Sequence, residues 1–277
     1  MAIDADNIPL PPSLSDAESA YVRSATRKEF PNLALNARLE AVRDSGKALG
    51  IQTGINRQMY FMKLALKKHE RELDTVYDFG PLMIQGRVVP PVITEVRDMY
   101  HQEGDDVIKL SGVEYNIESQ ARFSSVVPTW KEYFEYGAGS TSQSNITLGL
   151  QIKGDEEHLF RESIRQGYEE GIEAANTMFK HSFEKLNRDY TGMLRFNTFV
   201  KQGMISMPII AKSDIEITNT GTRLTMDETL LRLTVLSRFN SQMDSWNAWV
   251  KPAAQVQKMD HIKTVLTDEA RKNAQKN

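Results

Sequence analysis

The sequence predicts an α+β fold in which two long helices cross and pack with short antiparallel strands and hairpins. Three observations lead there. Apolar residues recur at three- and four-residue steps over about 35–76 and again over about 156–202. They alternate with polar residues over about 88–127 and after Pro208. The two regimes follow one another as helix, strands, helix, strands, the order of an α+β chain rather than of alternating βα units.

Taken in order, residues 1–14 carry Pro9, Pro11 and Pro12 among polar residues and read as an extended arm. Ser15-Asp16-Ala17-Glu18 has the spacing of a capping box, so a short helix is expected to about Lys28. Asn32 is the expected N-cap of the first long helix, whose apolar positions are Leu35, Leu39, Val42, Leu49, Ile55, Met59, Met62, Leu66, Leu73 and Val76. Tyr77-Asp78-Phe79-Gly80-Pro81 ends it. After Val88-Val89-Pro90-Pro91-Val92, the runs Val107–Leu110 and Val113–Ile117 read as a hairpin turning at Ser111-Gly112.

Thr129-Trp130-Lys131-Glu132 is a second capping box and opens a short aromatic helix with Tyr133, Phe134 and Tyr136. Residues 137–144 form a Gly/Ser/Thr/Gln loop. The second long helix carries Phe160, Ile164, Tyr168, Ile172, Ala175, Phe179, Leu186, Tyr190, Leu194 and Val200, with a kink or division expected at Thr191-Gly192. Ile215 and Ile217 lead to a turn at Asn219-Thr220-Gly221, Leu224 and Met226 lead back, and Leu231, Leu233 and Val235 supply a third strand. Arg232 belongs to that strand's outer face. The organisation expected is an arm and short helix over 1–30, one α+β core domain over 31–250, and a polar tail over 251–277.

Composition bounds the chemistry. The chain has 277 residues, 40% of them hydrophobic, and a formal net charge of −3. That length is ample for a core, and the near-neutral charge gives no footprint for nucleic acid. There is no cysteine, which excludes disulfides and thiolate metal sites. No run approaches the ~20 apolar residues of a membrane span, and Met1–Asp6 lacks the charged start and apolar core of a signal peptide.

Candidate catalytic features are weak. His69/Glu72 and His181/Glu184 stand one turn apart among Lys, Arg and Glu, in the reverse order to the Glu-x-x-His of di-iron bundles, and read as solvated helix faces. Gly137-Ala138-Gly139-Ser140 misses the Gly-x-Ser-x-Gly elbow, and Gly149–Gly154 lacks the lysine of a phosphate loop. Asp105-Asp106 and Glu156-Glu157 are adjacent carboxylates of turns and helix starts rather than a separated acid/base pair. No catalytic residue, metal or cofactor is expected.

The spacing of small residues is more informative. Gly46, Gly50 and Gly54 recur at four-residue steps on the first long helix, and Gly167, Gly171 and Ala175 do so on the second. Each interior glycine costs roughly 0.5–1 kcal/mol relative to alanine. A stripe of them therefore predicts close backbone approach, with the helices crossing near Gly50 and Gly171. Two aromatic groups are candidate partner surfaces: Trp130, Tyr133 and Phe134, and Trp246 with Trp249 on a shared helical face.

The segment Leu73–Asp98, with Pro128–Tyr133, Gly171–Asn176, Arg188–Met193 and Leu230–Thr234, resembles in its order the DotC family, the TraI-type lipoproteins of type IVB secretion and IncI-type conjugation machines. The resemblance spans roughly residues 33–240. It implies a non-enzymatic, lipid-anchored periplasmic subunit of an outer-membrane core complex, packed with DotD-like and DotH-like subunits, while the near-neutral charge gives no reason to expect direct contact with nucleic acid. The family's lipidated cysteine is absent, and the sequence is expected to begin just after it, so that residues 1–14 link anchor to body. The rival reading, a periplasmic peptidoglycan-binding or peptidoglycan-cleaving factor, needs an isolated, partly buried carboxylate that the sequence does not single out. A free-standing chaperone would use the same aromatic patches without a stable ring.

Overall fold

A computed structural model describes residues 10–23, 35–102, 108–135, 152, 154–219, 222, 224–247 and 264–268. Asn32, Tyr136, the 137–144 loop and Trp249 lie outside the described residues. The chain is α+β, with long crossing helices and antiparallel hairpins. It divides into two compact units: Met1–Val76, Tyr133–Glu184 and Ala254–Asn277 form the first, Tyr77–Glu132 and Lys185–Ala253 the second.

The first unit is helical. Helix α1 (Leu14–Arg23) is capped two residues ahead of the expected box: Asp16 N–H donates to Ser13 Oγ at 3.2 Å while Ser13 N–H donates to Asp16 Oδ2 at 2.8 Å. Ser13 with Asp16, not Ser15 with Glu18, thus closes the helix start. Helix α2 (Leu35–Lys68) and α3 (Glu70–Val76) stand where one helix was expected, interrupted at His69. Hydrogen bonds from His69 N–H to Ala65 O and from Leu73 N–H to His69 O carry the ladder past that residue.

Helix α4 (Glu157–Lys201) is the longest element, at 45 residues, and gives residues 157–184 to this unit. Ala17, Val42, Leu49, Phe160 and Ile164 form one buried cluster, with Leu14, Ile152 and Leu159 packed against it. Phe134, Phe179 and Phe183 stack at centroid separations of 5.3–6.1 Å. The buried face of α2 also holds Thr53, Arg57 and Gln58, and Gln58 Nε2–H donates to Asn176 Oδ1 on α4 at 2.9 Å. The buried Leu266 belongs to a helical turn over 264–268 in the segment read as a polar tail.

In the second unit Tyr77 and Phe79 pack edge-on against Tyr190 at 5.4 and 5.1 Å, and Tyr77 Oη–H donates to Asn187 Oδ1. The chain then turns through Gln85 and Gly86, at φ 51° and 66°, where left-handed backbone suits glycine. Short strands β1 (Val88–Val89) and β4 (Arg122–Phe123) pair with each other. Strand β2 (Val92–Gln102) pairs antiparallel along its length with β3 (Ile108–Ser119).

This corrects the hairpin: Ser111 and Gly112 lie mid-strand, Ser111 opposite Met99. A Ser-Gly dipeptide is a weak turn signal when a longer partner strand waits upstream in sequence. Thr129-Trp130-Lys131-Glu132 does cap a helix, Thr129 N–H donating to Glu132 Oε1 at 2.9 Å, but Trp130–Phe134 is a single 3₁₀ segment.

Helix α4 is unbroken through Thr191-Gly192. Gly192 is there for space: a Cβ on it would lie 2.5 Å from Val92 Cγ1 and 2.9 Å from Ile93 N. Strands β5 (Ile209–Asn219) and β6 (Leu224–Val235) pair antiparallel from Ile209↔Val235 to Asn219↔Leu224, with a register shift between Ile209 and Ile210. Leu231, Leu233 and Val235 therefore continue β6 and do not form a third strand. The core of this unit gathers Ile84, Val88, Ile93, Ala121, Phe196, Phe199 and Ile205, with Tyr115, Ile117, Ile210 and Leu233 against it.

Candidate interaction surface

Gly46, Gly50 and Gly54 of α2 lie directly on the backbone of α4. A Cβ at Gly46 would come within 2.9 Å of Phe160 O, one at Gly50 within 2.8 Å of Tyr168 N and 3.0 Å of Gly167 C, and one at Gly54 within 3.2 Å of Ile172 N. From the other side a Cβ on Gly167 would come within 3.0 Å of the Lys47 backbone and one on Gly171 within 3.0 Å of the Ile51 backbone, and Ala175 is fully buried. The helix-crossing residues thus form an internal seam, not an exposed site.

The aromatic residues separate by exposure. Trp130 is 5% exposed, with Lys131 Nζ 5.6 Å from its ring centre. Phe134 is buried against Phe179 and Phe183, and Tyr133 is half-buried. Trp246, at 37% exposure, follows a 3₁₀ turn (Met243–Ser245) and donates its indole N–H to Asn240 O at 3.1 Å.

Around Trp246 the sequence reading missed a larger feature. The β5–β6 ladder extends through Ser206 N–H to Arg238 O at 2.9 Å and Asn240 N–H to Met204 O at 2.8 Å, with an Ile205–Phe239 bridge. Along this base Met207, Ile209, Leu230, Val235, Leu236, Phe239 and Trp246 are exposed, Ile209 to 55%. Two more apolar groups stand outward in the same unit: Phe123, Val126 (69%) and Val127, and Val96, Met99 and Val113 on β2–β3. Among the described residues, Leu10 and Met178 are the large exposed apolar side chains of the first unit.

A signal for the base was present. Leu230-Leu231-Arg232-Leu233-Thr234-Val235-Leu236 places apolar residues at both parities, and a ribbon with one buried face needs only one. Leu231 and Leu233 are half-buried while Leu230 and Arg232 are exposed.

The polar groups nearby serve the fold. Asp214 accepts from Lys212 Nζ at 3.1 Å and from Thr229 Oγ1 at 2.9 Å, which holds its carboxyl below the ordinary carboxylate range. Arg195 donates to Ile93 O at 2.6 Å and pairs with Glu95 at 3.2 Å; Glu95 also accepts from Arg97 at 2.6 Å. Burial against Phe199, and then the Glu95 carboxylate, raise the Tyr115 phenol. Among the described residues no group of three His, Asp or Glu is placed to hold a metal ion, and no helix is long and apolar enough to cross a membrane.

Apolar side chains turned outward along strands are thus the feature that sets this unit's surface apart. The chain belongs to the type IV secretory system family described as conjugal DNA–protein transfer, whose sequence model matches residues 36–248. It is a component of a type IV secretion or conjugation apparatus. Among curated proteins none matches it.

Proposed function

We propose that the chain is a non-enzymatic structural subunit of the outer-membrane core complex of a type IVB secretion or conjugation system, assembling with DotD-like and DotH-like subunits. Its place is the periplasmic face of the outer membrane, where it acts as a lipoprotein. Membership of the secretion family supports the system. The observation that carries the subunit role is the apolar base of the β5–β6 ribbon, where seven large side chains from Met207 to Trp246 face solvent. Exposed large apolar side chains gathered on one ribbon support a protein interface there.

Size-exclusion chromatography of this chain with the DotD-like and DotH-like proteins of the same system tests the reading. A stoichiometric ternary peak is expected; separate elution of all three, with the lipidated form in detergent as well, refutes it.

A further inference from the structure

The N-terminal segment does not simply lead into the helices. Pro11 is buried, α1 lowers Ala17 into the Val42–Leu49–Phe160–Ile164 cluster, and Glu18 pairs with Arg165 at 3.4 Å. Beneath this segment lies Arg57 of α2, only 6% exposed. Its Nη1–H donates to Pro11 O at 3.1 Å, and its guanidinium stands 5.5 Å from the centre of the Phe61 ring. Among the described residues no carboxylate pairs with it.

A guanidinium cannot shed its proton, so once buried it must find acceptors. Here they are one carbonyl and one aromatic face. The carbonyl is well chosen: Pro11 has a fixed φ and, preceding Pro12, is held extended, so little backbone entropy is lost in presenting its oxygen.

We propose that residues 10–23 form a detachable strap and that Arg57 is the residue that clasps it to α2. The clasp fixes Pro11 against the helical unit. Among the described side chains the rest of the hold is the buried Pro11, the Ala17 plug, the half-buried Leu14 and the Glu18–Arg165 pair. To these Arg57 adds a charge-assisted hydrogen bond from α2 to the segment's backbone. Arg57 is a positioning residue for the strap.

Hydrogen exchange of the whole chain, comparing the wild type with Arg57→Met and Arg57→Lys, tests this. Arg57→Met keeps the stem, removes the charge and strands no carboxylate, so the helical body should survive it. The expected result is at least tenfold faster exchange of the α1 amides, with protection over 160–175 unchanged, and a smaller acceleration in Arg57→Lys, whose ammonium still reaches the carbonyl. Unchanged α1 protection overturns the proposal. Equal acceleration in α1 and α4 also overturns it, by making Arg57 an ordinary core residue. Should Arg57→Met not fold, the Arg57→Lys comparison decides by the same criterion.

Discussion

Gly50 of α2 and Gly167 of α4 face each other with no room for a side chain: a Cβ on Gly50 would lie 3.0 Å from the Gly167 carbonyl carbon and overlap the carbonyl oxygen of Ile164. Backbone cannot rotate out of the way as a flexible side chain can. Alanine is the better helix former by about 1 kcal/mol, yet Gly50→Ala is expected to destabilise the chain by roughly 2–3 kcal/mol through overpacking. Gly112→Ala, at a site with nothing within 4 Å, should leave the urea midpoint unchanged. A neutral or stabilising Gly50→Ala would mean that the helices separate at no cost.

Arg195 ties α4 to the start of β2 by donating to Ile93 O and pairing with Glu95, whose side chain is 15% exposed. Arg195→Met leaves the carbonyl without that donor and Glu95 with Arg97 alone. A loss of about 2 kcal/mol is expected, the scale of a charged hydrogen bond left unmade. Arg97→Met, at a largely exposed side chain, should barely move the unfolding midpoint.

Much of the architecture was legible because its signals were local. The end of the first helix at Tyr77–Pro81, the 45-residue α4 and the β5–β6 pairing follow from Pro, Gly and apolar periodicity. The glycine stripes announced a crossing because only backbone contact offsets their intrinsic cost. The errors arose where a local motif met a longer-range competitor. Ser111-Gly112 has turn chemistry, but pairing with β2 offered a longer ladder. Gly192 looked like a breaker and instead makes room for Val92 and Ile93. On the first long helix Val42, Leu49, Met62, Leu66 and Leu73 are buried as their periodicity implies, but Thr53, Arg57 and Gln58 interrupt the apolar stripe, which hid Phe61 and Ala65. The exposed ribbon base was missed because an apolar strand residue was assumed to face inward.

Tyr190 sets an alkaline limit. Burial first, and the Asp78 carboxylate second, hold its phenol above the ordinary value near 10.0. The folded state thus keeps a proton that the unfolded chain releases. Its contribution to stability is complete below the unfolded value and disappears as pH rises through the folded one. Urea midpoints should fall from about pH 10 upward, and Tyr190→Phe should make that fall shallower. It should not abolish it, since burial also raises Tyr115 and Tyr168. An unaltered slope in Tyr190→Phe would show that the phenol ionises without regard to folding.

Ile209 and Phe239 stand on the base of the β5–β6 ribbon, one exposed to 55% and the other to 41%. Substitutions at exposed sites usually change stability by within about 0.5 kcal/mol, whereas a charge placed in the desolvated centre of an interface typically costs several. Ile209→Lys and Phe239→Asp should therefore melt like the wild type and fail to co-elute with the secretion-system subunits. Met178→Lys, on the outer face of α4 in the other unit, should co-elute normally. Loss of assembly in Met178→Lys alone would move the interface to the helical unit, where Leu10 and Met178 are the large apolar side chains exposed among the described residues. Unimpaired assembly by all three variants would leave the ribbon base without a partner and remove the observation on which the subunit reading rests.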